Sequence, residues 1–130
     1  MREGMVEMMI PHVIRLKRVY EPSEASDGFR VLADRLWPRG IRKDSLDLDE
    51  WAKDAAPTTG LRQAYHQGSG DFDWFRVQYL IELDNSPAAE ALRQRCQENL
   101  LRRNVTLIYA AADTKQNHAQ VLKEWLEKQR

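Results

Sequence analysis

The sequence predicts a single α/β domain with a short, partly parallel sheet and helices on both faces. Three observations lead to this class: two strand-like segments come first, several helical segments follow, and a strongly apolar strand returns before the last helix. A strand that rejoins a sheet through intervening helices usually runs parallel to its neighbour. The 130 residues are enough for one domain with a buried core.

Two strands are predicted in the first third of the chain. Residues 12–20 alternate apolar and basic side chains, which is typical of a strand with one solvated face. A polar loop containing proline and glycine follows at 21–28, and the second strand begins at Phe29. We expect this strand to stop by Trp37, because Pro38 has no amide hydrogen and restricts the residue before it.

Capping residues and side-chain spacing predict the first helices. Ser45 precedes a predicted helix over 46–55, and a second short helix is expected over about 58–66. Asp71 caps an amphipathic helix whose aromatic side chains recur at helical spacing. We interpret this aromatic stripe as core packing rather than a platform for stacking bases; its residues are Phe72, Phe75 and Tyr79.

The last third contains the clearest strand. Ser86 followed by proline predicts a helix that reaches about Arg103, since proline suits the first helical position. Residues 104–111 are then continuously apolar, β-branched and aromatic, which indicates a central strand covered on both faces. Asp113 and Thr114 are expected to cap a final helix over 115–128.

Composition restricts the class of protein. Hydrophobic residues make up 42% of the chain, and 20 basic side chains balance 20 acidic ones, which argues against bulk electrostatic binding to nucleic acid. No apolar run approaches the ~18 residues of a spanning helix, and no signal peptide is evident, so we expect a cytoplasmic protein with no membrane association. Residues 1–11 are expected to form a flexible tail ahead of a domain over 12–130. Cys96, the single cysteine, is expected to be a small buried side chain.

Charged and polar side chains follow two of the predicted strands. In parallel α/β sheets, ligands bind outside the carboxyl ends of the strands, so the two ends are expected to open onto one crevice. Arginine forks and a helix N-terminus both suit an anion. The ligand-binding candidates are Arg35, Trp37, Arg39, Lys53 and Asn117, and the candidates for catalysis are Asp34, Asp113 and His118.

Several candidates also have a purely structural explanation. Asp34 and Arg35 could lock the sheet to a helix, and Asp113 is an ordinary capping residue. His118 is expected to be neutral in the first turn of a helix, able to act as a base or donor, but it also shares a face with apolar residues. The histidines do not have the spacing of a metal site, and we find no cofactor-binding motif.

Several blocks of sequence resemble the YeaO-like family of small bacterial proteins. They are R-V-L-A-D-R-L-W-P-R-G at 30–40, W-A-K-D-A-A-P-T at 51–58, V-T-L-I-Y-A-A at 105–111 and N-H-A-Q-V-L at 117–122. The resemblance runs from about His12 to the C-terminus and implies a compact α/β protein. The family is a domain of unknown function, so it implies no particular activity.

The sequence leaves more than one function open. The first is a small enzyme or ligand-binding protein that takes an anionic small molecule, bearing phosphate or carboxylate, or a nucleotide. The alternative is a module that binds nucleic acid or a protein partner without catalysis, and a third is that the 34–40 block only locks the fold. The protein is expected to be a monomer or a homodimer.

Overall fold

The protein folds around a parallel β-sheet. The structure, a computed structural model, describes residues 11–128. Within them, four strands form one sheet in the order β1-β4-β2-β3, and every pairing is parallel. The strands are β1 (Ile14–Arg18), β2 (Phe29–Leu32), β3 (Glu50–Trp51) and β4 (Val105–Tyr109). The tail expected at 1–11 lies, except for Pro11, outside the described residues.

Strand β4 lies between two neighbours in the middle of the sheet. Val105 is opposite Ile14 on one side and Phe29 on the other. All five residues of β4 are buried, which confirms the prediction of a central strand covered on both faces. Burial on both faces explains why the run is continuously apolar, because neither face of the strand meets solvent and polar residues therefore do not alternate with apolar ones.

Four α-helices are present within residues 11–128. They are α1 (Thr59–His66), α2 (Phe72–Asp84), α3 (Pro87–Leu100) and α4 (His118–Lys128). The predicted caps of α2 and α3 are confirmed: Asp71 accepts the amide hydrogen of Trp74, and Ser86 accepts that of Ala89. None of the described helices is long and apolar enough to cross a bilayer.

The predicted helix over 46–55 is wrong. Strand β3 and a 3-10 helix, Lys53–Ala55, occupy its place. This segment forms hydrogen bonds with β2 instead of the internal bonds of a helix. The Asp49 carboxylate accepts the Arg30 amide hydrogen, and the Asp49 amide donates to the Arg30 carbonyl. This edge pairing depends on a distant strand, so local spacing did not reveal it.

The last helix begins later than expected. It starts at His118 rather than at 115. The Asp113 carboxylate accepts the amide hydrogens of Lys115 and Gln116 in a turn before the helix. Asn117 is the residue that caps α4, because its side-chain oxygen accepts the amide hydrogen of Gln120.

The two faces of the sheet are covered differently. All four α-helices contribute to the large apolar core on one face. On the other face, a small cluster of Val19, Leu32 and Ile108 is covered by side chains from 37–48 and by Trp51. The single α/β domain with a short parallel sheet is confirmed; helices were expected on both faces, and on this second face the irregular segment replaces them.

A cluster of buried charges lies on the second face of the sheet, where β2 begins. Lys17 is only 5% exposed, so the prediction of a solvated basic face on β1 is wrong at this residue. Its ammonium donates to both carboxylate oxygens of Asp27, at 2.8 and 3.0 Å, and to Glu24. Arg30 donates to the same Asp27 carboxylate, which is fully buried. Every charge in the cluster therefore has an opposite partner.

Candidate functional site

A pocket of about 330 Å³ opens where β2 and β4 end. This volume falls at the small end of the ~300–1,000 Å³ typical of small-molecule sites. We call it the strand-end pocket. Its lining comes from the segments after β2 and β4, from α1 and α2, and from the start of α4: Asp34, Arg35, Leu36, Pro57, Arg62, Tyr65, His66, Phe72, Phe75, Ala111, Gln116, Asn117 and His118.

Asp34 and His118 form a hydrogen-bonded pair in this pocket. The distance from His118 Nε2 to Asp34 Oδ1 is 2.6 Å. The second carboxylate oxygen of Asp34 accepts the amide hydrogen of Ala110 at 3.1 Å, and its carbonyl accepts the Trp51 indole hydrogen at 2.7 Å. The carboxylate is therefore held from two sides at the junction of β2 and β4.

The pairing fixes the tautomer of the neutral His118 ring. An ionised carboxylate only accepts hydrogen bonds, so the hydrogen must be on Nε2. Nδ1 is then an acceptor in the neutral ring and a donor in the protonated one. The side chain of His118 is 19% exposed, and Nδ1 has no partner among residues 11–128. One ring nitrogen is thus available to a bound molecule.

Arg35 lines the pocket, but two of its nitrogens are used to hold the backbone. Its Nε donates to the Pro57 carbonyl at 2.9 Å, and Nη2 donates to the Ala56 carbonyl at 3.1 Å. The Tyr79 hydroxyl donates to the Ala55 carbonyl at 2.6 Å in the same turn. These bonds fix the segment that leads into α1, so Arg35 positions that helix.

Helix α1 supplies three lining residues that the sequence interpretation missed. Arg62, Tyr65 and His66 recur at the spacing of one helical face, which is the signal that was available. Arg62 is partly exposed and makes no side-chain hydrogen bond or ion pair within the described part of the chain. Its planar fork is therefore free for a ligand.

Aromatic rings form one wall of the strand-end pocket. Tyr65 stacks on Phe75 with ring centroids 4.7 Å apart and planes 28° apart, and Phe72 lies 5.9 Å from Phe75. Core packing is confirmed for Phe75 and Tyr79, which are 4% and 0% exposed. Phe72 is half-buried and lines the pocket, so part of the stripe serves both the core and the pocket.

Some predicted candidates lie away from the pocket lining. Arg39 is exposed and lies in the turn at 39–40. Trp37 packs edge-on against Trp51 with centroids 5.3 Å apart, and its indole hydrogen bonds to the Ile41 carbonyl. The ammonium of Lys53 lies 5.2 Å from the Trp51 ring centroid. Trp37 and Trp51 pack on the small apolar cluster of the second face of the sheet.

Asp113 and Asn117 hold the turn before α4. The carboxylate of Asp113 is committed to the turn, and its carbonyl accepts the Asn117 side-chain amide at 2.8 Å. Hydrogen bonds from Gln116 and Lys115 lower the pKa of the exposed Asp113 carboxyl. Asn117 lines the pocket, but its side chain already bonds at both ends. Both residues therefore position His118.

The lining of the pocket carries more positive than negative formal charge. Its lining contains two arginines and one aspartate, which leaves a formal excess of one positive charge with neutral histidines. The N-terminus of α4 adds the positive end of a helix dipole. Residues 11–128 contain no group of three or more ligating side chains that could hold a metal ion.

Cys96 has no part in this site. It is 1% exposed within α3, as predicted, and burial raises the pKa of its thiol to about 12. A thiol held in the protonated form is a poor nucleophile. This residue therefore serves the core.

Fold and site together define a small α/β protein with a pocket at the carboxyl ends of a parallel sheet. The chain belongs to the family described as "Inactive DUF488-N3 subclade", whose match covers residues 13–130.

Three curated relatives agree with this assignment and confirm the resemblance to YeaO-like proteins. The chain is 50% identical over 113 residues to "Uncharacterized protein YeaO" of Escherichia coli (strain K12), which covers 87% of this chain and 96% of that protein. It is 41% identical over 113 residues to "Uncharacterized protein Mb3100c" of Mycobacterium bovis and to "Uncharacterized protein Rv3073c" of Mycobacterium tuberculosis, covering 87% of this chain and 92% of each. No solved structure matches the chain.

Proposed function

We propose that this protein binds an anionic small molecule, bearing phosphate or carboxylate, in the strand-end pocket. The observation that carries the proposal is the Arg62 guanidinium, which has no partner among residues 11–128 and lies in a pocket with excess positive charge. A guanidinium fork pairs with carboxylate or phosphate through two parallel hydrogen bonds. The sequence suggested Arg35 for this role. Arg35 instead holds the backbone before α1, the helix that carries Arg62, and so helps to position Arg62 at the pocket.

His118 and Asp34 contribute a directional contact. Asp34 orients the imidazole, and Nδ1 accepts a hydrogen bond from the ligand or, when protonated, donates one to it. The same pair has the form of an acid–base unit. The family description contains the word "Inactive", which speaks against turnover in this family.

A pocket of about 330 Å³ suits a small ligand better than the alternative of a nucleic-acid or protein partner. The formal net charge of zero also gives no general attraction to phosphate backbones. A cytoplasmic location and a monomer or homodimer stay predictions from the sequence.

Calorimetric titration tests the proposal with inorganic phosphate and succinate as probes. We expect at least one probe to bind the full chain and Arg62→Gln to weaken that binding about 10-fold or more, as expected for loss of a charge-assisted pair. Arg102→Gln is the matched control, because Arg102 is exposed and outside the pocket. Equal binding by Arg62→Gln, or no binding of either probe at millimolar concentration, would contradict the proposal.

A further inference from the structure

We propose that the ligand is a mononucleotide, whose base stacks on the aromatic wall of the strand-end pocket while its phosphate pairs with Arg62. The inference rests on the anion binding proposed above and adds the class of molecule. It starts from the composition of the wall, which a simple anion does not require.

The aromatic wall is partly open, and its two accessible rings, Tyr65 and Phe72, lie 6.5 Å apart with their planes at 60°. Phe75 is 4% exposed, and its ring stacks on that of Tyr65 with centroids 4.7 Å apart. Tyr65 and Phe72 are half-buried and line the pocket. Aromatic side chains backed in this way offer a stacking surface at low conformational cost, and every base has a face to match it.

The cation and the ring have the spacing of one helical turn. Arg62 and Tyr65 are three residues apart in α1, so their backbones differ by about 4.5 Å along the helix axis. A mononucleotide has its phosphate and base on opposite sides of one sugar. A single molecule of this kind therefore reaches both side chains, and the volume of about 330 Å³ limits it to a small ligand.

Polar groups from other elements provide contacts for the edge of a base. His118 Nδ1 and Arg35 Nη1 have no hydrogen-bond partner among residues 11–128, and both side chains line the pocket. One is an acceptor in the neutral ring and the other is a donor. Bases carry donors and acceptors on their edges, whereas a benzene ring does not, so this pair favours a base.

A free nucleotide fits better than a nucleic-acid strand. The chain has 20 basic and 20 acidic side chains, without the basic excess that attracts a polyphosphate backbone. Binding of an oligonucleotide is consequently an outcome that the experiment must distinguish.

The test is a calorimetric titration of the full chain with inorganic phosphate, ribose 5-phosphate, the four common nucleoside monophosphates, adenosine and oligoadenylate. We expect at least one nucleoside monophosphate to bind 10-fold or more tightly than ribose 5-phosphate. Tyr65→Leu should remove that gain, so that the variant binds the nucleotide no more tightly than ribose 5-phosphate, whereas Tyr65→Phe should keep it. Tyr20→Leu is the matched control, because Tyr20 is 53% exposed and outside the pocket.

The outcomes separate the two proposals. Equal affinity for ribose 5-phosphate and every nucleotide, with dependence on Arg62, overturns the inference and leaves anion binding intact. Adenosine binding that is as tight as nucleotide binding and insensitive to Arg62→Gln overturns the anion site. Tighter, salt-sensitive binding of oligoadenylate overturns the inference in favour of nucleic acid. If Tyr65→Leu fails to fold by circular dichroism, Phe72→Leu tests the same wall, and unchanged nucleotide affinity in that folded variant overturns the inference.

Discussion

Replacing Asp27 with asparagine is expected to destabilise the protein strongly. The Asp27 carboxylate is fully buried between the Lys17 ammonium and the Arg30 guanidinium, which are 5% and 4% exposed as residues. It accepts hydrogen bonds from both cations and from the amide of Glu24 at 3.1 Å. The substitution leaves two buried cations around a neutral amide whose own hydrogens have no acceptor there.

The expected size follows from the burial of both cations. Removing one partner of a buried ion pair costs about 3–5 kcal/mol. Unfolding entropy of about 2.1 cal/mol/K per residue gives about 0.27 kcal/mol per kelvin for 130 residues. The melting temperature should therefore fall by about 11–18 °C. Glu24 still pairs with Lys17, which favours the lower end of this range.

Thermal melts followed by circular dichroism measure the effect, and pH gives a second check. Burial raises the pKa of Asp27, but hydrogen bonds from Lys17, Glu24 and Arg30 outweigh it and lower the pKa below its ordinary value of 3.8. A lowered folded pKa means that the stabilisation is complete above the unfolded value and is lost as the pH falls through the folded value. The difference between wild type and Asp27→Asn should therefore shrink below about pH 4.

The control for this prediction is Asp54→Asn, which removes an exposed carboxylate and should change the melting temperature by no more than about 2 °C. An Asp27→Asn protein that melts within about 3 °C of wild type at pH 7 would refute the argument that the buried charges depend on this carboxylate.

Three further experiments have defined outcomes. Gly28→Ala should lower the free energy of unfolding in chemical denaturation by more than about 3 kcal/mol, because Gly28 has φ 65° and an added Cβ would lie 2.1 Å from a backbone oxygen. Gly40→Ala is the control: Gly40 has φ 76° but open space around it, so this change should lower the free energy of unfolding by only about 1 kcal/mol. Cys96 should react with a thiol reagent only after unfolding, since its pKa is raised to about 12, and prompt labelling of the native protein would contradict its burial. Arg35→Lys should lower the free energy of unfolding by about 1–3 kcal/mol in the same denaturation assay, because one ammonium replaces a guanidinium that holds two carbonyls. Unchanged stability would contradict the positioning role of Arg35.

Local signals were sufficient for much of the fold. The apolar run at 104–111 identified the buried strand β4, and Asp71 and Ser86 identified two helix starts, because strand burial and capping both act over a few residues. The helix expected over 46–55 failed, since the backbone there bonds to β2. The spacing of apolar and polar residues within a short segment does not indicate which distant strand that segment pairs with.

The buried charges and the site show the same limit. Lys17 looked solvated because its partner, Asp27, lies ten residues away in a polar loop. Parallel pairing of β2 and β4 correctly suggested that Asp34 and His118 would meet, and they do. Arg62 was missed because the placement of α1 against the strand ends depends on tertiary contacts.

The most direct test of the central claim locates the bound anion on the protein. Isotope-labelled protein is titrated with inorganic phosphate while the backbone amide signals are followed by nuclear magnetic resonance. We expect the shift changes to concentrate at Arg62, Tyr65 and His118, and to disappear in Arg62→Gln. Changes centred instead on the exposed Arg39 and Arg42, or no saturable change at any amide, would contradict the account of an anion-binding strand-end pocket.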